Sequence, residues 1–341
     1  MNTKVMLKEE RPSANQPMQI QEVFDLIHDD VKLMEEGFKR SLSSNVPLVG
    51  KVSEYILNSG GKRFRPMVFL LVARLCKYRG ERHIPLAGVV EFIHTATLLH
   101  DDVVDNATLR RGKKSANTVW GNSASVLVGD YILSKAFAIA VANSDMNVLN
   151  VLSQTTTSMA EGEVLQLAKH NDLTMSEQEY LDIVTNKTGV LLSAAARIAA
   201  IISDVTYEKE VALINYGLDL GIAYQLMDDS LDYISTDEDL GKGIGNDLRE
   251  GKVTMPLIHA NRNATEMERK LLKETIEAKE LTDERLADVL EIINRYKGIE
   301  YTVQRATKHI EDAKQSLTSF DSSINKTALM TVADFVIERK Y

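Results

Sequence analysis

The sequence predicts an all-α protein, a single large bundle of long helices joined by short loops. Three observations carry this. No proline lies between Pro85 and Pro256, and a proline inside a helix costs about 3 kcal/mol. No run alternates apolar and polar residues as a half-buried strand does, and no Asn-Gly or Asp-Gly turn separates two such runs. Apolar residues instead recur at helical spacing, beginning with Val23, Ile27, Val31 and Met34.

Taken in order, residues 1–18 lack an apolar core and are expected to form a poorly ordered extension; residues 19–341 form the helical domain. A first helix spans 19–43 and a second Val46–Asn58, closed by Ser59-Gly60-Gly61, where glycine ends a helix and lets backbone approach a ligand. The basic cluster Lys62-Arg63-Phe64-Arg65-Pro66 opens a third helix running to about Cys76. The stretch around which the chain is organised is a long apolar helix over Pro85–Asp105. A loop over Asn106–Thr118 follows, then helices over Ser123–Asn143, Met146–Ala168, Ser176–Ala200 and Tyr207–Tyr233. A loop over Ile234–Thr254 carries Gly241, Gly243, Gly245 and Gly251 with Lys242 and Lys252. The remainder reads as packing helices, with no candidate chemistry beyond Lys252.

The 341 residues are 44% hydrophobic with a net charge of −9, which suffices for a large core and disfavours nucleic acid or an anionic membrane as non-specific partners. The single cysteine, Cys76, excludes an internal disulfide framework and suits a reducing, cytoplasmic setting. No charge-free apolar run of about 18 residues is present, so no transmembrane helix is expected. The N-terminus has no apolar signal core, and Glu9 and Glu10 argue against a transit peptide.

Two acid rows stand out. Asp101, Asp102 and Asp105 end the organising helix, and Asp228, Asp229 and Asp232 repeat the pattern near the end of the Tyr207 helix. Members three or four apart share a helix face. Carboxylates set among apolar flanks need a positive partner, and a hard, oxygen-preferring cation such as Mg²⁺ is the natural one. One such row could be a solvated face; two, each inside an apolar helix, suggest rows facing each other across a bundle and holding Mg²⁺ against a diphosphate. Lys62, Arg65, Arg110, Arg111, Lys187, Lys242 and Lys252 sit at helix ends or in glycine-bearing loops, and paired guanidinium groups bind phosphate bidentately. Taken singly, each could be an ordinary surface charge.

At these residues the sequence resembles the trans-polyprenyl diphosphate synthases, with wording closest to the long-chain, octaprenyl type. The likeness covers about residues 50–260: GGKRFRP at 60–66, EFIHTATLLHDDVVD at 91–105, LRRGKKSAN at 109–117, GDYILSKAF at 129–137, AEGEVLQL at 160–167, KTGVL at 187–191, GIAYQLMDDSLDY at 221–233, GKGIGNDLREGK at 241–252 and TMPL at 254–257. The resemblance implies an all-helical fold with the cavity inside each subunit of a homodimer. It implies that Asp101 and Asp105, with Asp102 nearby, hold Mg²⁺ on the allylic diphosphate, and that Asp228, flanked by Asp229 and Asp232, holds a further ion, three in all. It assigns Arg110, Lys187, Thr188, Gln225 and Lys242 to the allylic diphosphate, and Lys62, Arg65, His94 and Arg111 to isopentenyl diphosphate.

The expected chemistry is ionisation of the allylic diphosphate, attack by the isopentenyl double bond and loss of a proton, with water excluded from the cation. A local kink at Lys187 and Thr188 would aim carbonyl oxygens at that cation. The growing tail should run down the bundle past Ala96 and Thr97, both small, to a floor several turns deeper, with Ile93, Val90, Phe137 and Met159 as candidates. A product near C40 is expected, C45 or C50 being compatible, with a quinone side chain as its use; Ala96→Tyr is expected to shorten it. Release of so greasy a product could involve transient membrane contact.

The rival readings are a shorter-chain synthase, a class I terpene cyclase, a non-catalytic subunit of a heteromeric synthase, and a di-iron bundle suggested by Glu91-x-x-His94. The last needs a second such motif, which the sequence lacks. His94 could also be a plain core histidine; His100 could tune the first acid row or merely pack. Tyr224 and Met227 read as core residues.

Overall fold

The computed structural model describes residues 18–57, 61, 63–234, 244–278 and 281–339. The extension over 1–17, Lys62 and Lys242 lie outside these residues. Helices α1 (Ile20–Ser41), α2 (Pro47–Leu57) and α3 (Phe64–Leu75) follow the expected order. α4 (His83–Val104) is the organising helix and buries Leu86, Val89, Val90, Phe92, Ile93, Ala96 and Leu99.

The following loop holds a feature the sequence did not announce. Leu109–Arg110 and Lys113–Lys114 pair as a two-residue antiparallel ribbon around Arg111 and Gly112, both left-handed at φ 52° and 72°. It is too short to show any alternation. After the short α5 (Ala116–Trp120) come α6 (Asn122–Asn143) and α7 (Met146–Ala168). Asp145 caps α7, accepting hydrogen bonds from the N–H groups of Asn147 and Val148. By length and apolarity α6 is also suited to a membrane span; Asp130 and Lys135 interrupt it, and it packs along α4.

The helix expected over Ser176–Ala200 is three pieces: α8 (Glu177–Val184), a π turn at Thr185–Gly189, and α9 (Val190–Ile202). A π turn inserts one residue into the ladder and recurs at functional sites. Its neighbours come within backbone contact of it. A Cβ on Gly162 of α7 would stand 2.8 Å from the Lys187 nitrogen, and one on Gly221 would stand 2.7 Å from the Cα of Gly189. Gly221 belongs to α10 (Tyr207–Leu231), which packs against α9.

The expected loop before Thr254 contains a short helix, α11 (Asn246–Arg249). Then α12 (Met255–Asn263), α13 (Glu266–Ile276), α14 (Asp283–Arg295), α15 (Gly298–Ser316) and α16 (Ile324–Glu338) complete the bundle. α15 packs along α10, and α16 returns against α3, α10 and α1.

Candidate active site

The two acid rows do face a common space, but not as intact rows. A cavity of about 840 Å³ is lined by Asp101 from α4 and Asp228 from α10, with Arg65, His94, Arg110, Arg111, Lys187, Thr188 and Gln225 around the same opening. Asp105, one turn beyond Asp101, faces an adjoining cleft shared with Glu163 and Lys252. There the Lys252 ammonium donates to Asp105 at 2.8 Å and to Glu250 at 2.7 Å.

The other three aspartates are turned to protein partners. Asp102 is 1% exposed and accepts two hydrogen bonds from the Arg110 guanidinium, at 2.8 Å from Nε and 2.6 Å from Nη2. Asp229 accepts from the Tyr180 hydroxyl, and from Gln225 Nε2 at 2.7 Å. Asp232 accepts from the backbone N–H groups of Asn246 and Asp247 at 3.2 and 3.1 Å, holding α11 in place. Helical spacing puts i and i+4 on one side, but it does not say which member of an adjacent pair looks inward.

The electrostatics follow from burial. Burial pushes the Asp101 carboxyl up to about 7; Lys187 opposes the shift, while Glu163 and Asp105 reinforce it. Burial, then Asp247, pushes Asp232 up to about 7 and raises Asp229 well above the usual carboxylate range. Burial and neighbouring carboxylates thus favour the protonated forms of all three. His94 is driven the other way: burial, then Arg65, Arg111 and Arg110, lower its pKa well below the ordinary imidazole value, so it is neutral. It lines the cavity and is not a plain core residue. Glu91 beside it pairs with Arg63 at 2.9 Å, which uses the carboxylate that a Glu-x-x-His metal motif would need. His100 reaches the Val126 carbonyl and Asp130, each at 3.3 Å.

The π turn presents Lys187 to the cavity, where its ammonium meets Glu163 at 2.6 Å and Gln166 at 2.8 Å. Thr188 Oγ1 donates to Gln225 Oε1 at 3.0 Å. Arg65 is half-buried; its Nε is buried, and among the described residues that atom has no hydrogen-bond partner. Gly61 leaves room for Arg111; a Cβ there would stand 2.8 Å from Nη1.

Below the charged mouth the wall turns apolar. On α4 it descends through Leu98 and Thr97 to Ile93, on α7 from Glu163 through Ala160 and Met159 to Thr156, and Leu133 of α6 closes a third side. From Asp101 to Ile93 is about 12 Å of helix. Ile93 and Met159, two expected floor residues, line this shaft; Val90 and Phe137 do not. Ala96 corrects the expectation placed on it. It is 1% exposed and packs in the core, not on the shaft wall, because it lies about 100° round α4 from Thr97. Tyr224 corrects another, since it lines the cavity where a core role was expected; Met227 is buried as expected.

Sequence reasoning missed Arg339, at the foot of α16. Its guanidinium meets Asp228 at 2.7 Å, donates to the Tyr224 carbonyl at 2.6 Å and lies 3.8 Å from the centre of the Tyr224 ring. No motif surrounds it. Tyr180 was missed for the same reason, and Asp247, although inside the stretch at 241–252, was given no role.

A family model described as polyprenyl synthetase matches residues 46–293. The chain is 40% identical to the octaprenyl diphosphate synthase of Haemophilus influenzae over 327 residues, covering 95% of this chain and 98% of that one. It is also 40% identical to the octaprenyl diphosphate synthase of Escherichia coli over 325 residues, covering 94% and 99%. Among solved structures it resembles a polyprenyl synthase from Caulobacter crescentus complexed with calcium and isoprenyl diphosphate. The TM-score is 0.92 at 37% identity, over 96% of this chain and 100% of that one.

Proposed function

The chain belongs to the polyprenyl synthetase family, and from that premise we propose how its cavity lengthens an isoprenoid chain. It is a prenyltransferase, a trans-polyprenyl diphosphate synthase of the long-chain kind. The observation that carries the mechanism is the joining of a charged mouth and an apolar shaft in one cavity.

The carboxylates fit a hard divalent ion. The donors are all oxygen, and because no three acidic, His or Cys side chains gather into a complete cage among the described residues, substrate oxygens would have to complete the coordination. Asp101, Asp105 and Asp228 would hold Mg²⁺, three ions with substrate present, whose charge would stabilise the departing diphosphate. Arg110, fixed by Asp102, and Lys187, held by Glu163 and Gln166, bind the allylic diphosphate. Arg65, Arg111 and neutral His94 take isopentenyl diphosphate. Thr188 and Gln225, hydrogen-bonded to each other beside Lys187, contact the allylic diphosphate, and the shaft wall keeps water from the allylic cation. The isopentenyl double bond then forms the new carbon–carbon bond, and the proton lost passes to the released diphosphate. The tail grows past Thr97 towards Ile93, Leu133 and Met159.

The product is proposed to be near C40 and to supply a quinone side chain. The protein is proposed to act as a cytoplasmic homodimer; exposed apolar residues on α6 such as Leu127 and Val141 support the dimer. The test is product analysis with Mg²⁺, farnesyl diphosphate and radiolabelled isopentenyl diphosphate. A dominant product near C40 is the expected result. A C15–C20 product would keep the reaction and discard the shaft argument; no incorporation would make the chain a non-catalytic subunit.

A further inference from the structure

Arg339 belongs to none of the residue sets assigned above, yet it sits against the carboxylate that carries the second acid row into the cavity. Its side chain is only 4% exposed, while that of Asp228 is 30% exposed. It is held on two further sides, by the Tyr224 carbonyl at 2.6 Å and by the Tyr224 ring at 3.8 Å. The guanidinium is therefore pre-oriented and cannot swing freely into solvent. Arg65, half-buried and with its buried Nε unpartnered among the described residues, lines the same cavity.

We propose that Arg339 is an exchangeable counter-ion: it neutralises Asp228 in the metal-free protein and turns to the incoming diphosphate when a divalent ion takes that carboxylate. This rests on the reading of Asp228 as a metal ligand. A divalent ion and a guanidinium compete for the same oxygens. Once the ion has them, a nearly buried cation has lost the carboxylate it met at 2.7 Å, and a desolvated guanidinium gains from a replacement anion. A diphosphate in the adjoining cavity restores the balance and is bound bidentately. Metal and diphosphate thus strengthen each other's binding through one residue, and the coupling is the same from either side. The first row repeats the motif, with Lys252 on Asp105.

The test is Mn²⁺ binding, followed by electron paramagnetic resonance, with and without inorganic diphosphate, in the full chain. In the wild type, diphosphate tightens Mn²⁺ binding. In Arg339→Met, Mn²⁺ without diphosphate binds about fivefold more tightly, because its competitor is gone, and the tightening by diphosphate shrinks at least as much. Arg339→Lys keeps most of the coupling. Should the methionine variant fail to fold, Arg339→Gln, which retains a donor for the Tyr224 carbonyl, gives the same two readings. Unchanged Mn²⁺ affinity and coupling, or weaker Mn²⁺ binding without diphosphate, overturns the proposal. Asp228→Asn separates the two levels: if it binds as many Mn²⁺ ions as the wild type, the metal role of Asp228 itself falls.

Discussion

The backbone nitrogen of Lys187 stands 2.8 Å from where a side chain on residue 162 would begin. Gly162 thus lets α7 close onto the π turn, and that closeness sets Lys187 between Glu163 and Gln166. Glycine to alanine inside an exposed helix is ordinarily stabilising by about 1 kcal/mol. Here the sign reverses. Gly162→Ala must push backbone against backbone, and overpacking of this kind costs about 1–3 kcal/mol. The expected outcome is a lower Tm together with a raised KM for the allylic substrate. A stabilised, fully active variant would show that the contact is slack.

Thr97 and Ala96 are neighbours in sequence with opposite fates. Thr97→Tyr projects a ring into the shaft and should shorten the product to C15–C20 with stability near wild type. Ala96→Tyr places the same ring in a packed core, so it should lower stability by about 1–3 kcal/mol or more before it alters chain length. Chromatography of the dephosphorylated products and thermal unfolding, run side by side, distinguish the two; a stable Ala96→Tyr protein with short products would put residue 96 on the wall.

Asp102 holds Arg110 and does not line the cavity. Asp102→Asn should therefore leave the number of bound Mn²⁺ ions unchanged while loosening Arg110. Losing a charged hydrogen bond of this sort costs about 1.5–3 kcal/mol, and KM for the allylic diphosphate should rise. Asp101→Asn should instead remove metal. Equal metal loss in both variants would return Asp102 to the ligand set.

The metal-free protein should lose stability as pH rises from 6.5 to 8. Asp101 and Asp232, pushed up to about 7, bind protons more tightly folded than unfolded. Their contribution is complete below the ordinary carboxylate pKa and is lost as pH passes about 7. Asp229, also raised by burial, acts in the same direction. His94 and His259, lowered by burial, act oppositely, but only below the ordinary imidazole value of 6.5. Thermal unfolding in chelator at pH 6.5, 7.25 and 8 measures the slope. Saturating Mg²⁺ with inorganic diphosphate should flatten it, since bound cations then hold the carboxylates ionised. A flat or rising Tm in chelator would falsify the account.

Much of the site was legible because helix geometry is local. Asp101 and Asp105 had to fall on nearby faces, and the apolar flanks had to be buried, whatever the rest of the chain did. The small residues around Lys187 announced a weak point in the ladder, although not that it would take the form of a π turn. The limit of such reading shows at Asp102, Asp229 and Ala96. Each has the right type and spacing, but a 100° rotation about the helix axis decides which of two adjacent residues faces the cavity. Sequence periodicity alone does not set that rotation.

The sequence by itself determined that this protein is a bundle of long helices carrying two aspartate rows, with arginines close behind the first and glycine at the tight approaches. These are consequences of the 3.6-residue repeat and of residue chemistry. The tertiary structure alone decided which charges meet. Lys252 reaches Asp105 across 147 residues, and Arg339 comes from the last described helix to hold Asp228. Such pairs are fixed by how helices pack, because side chains distant in sequence meet only where buried apolar faces bring their helices together.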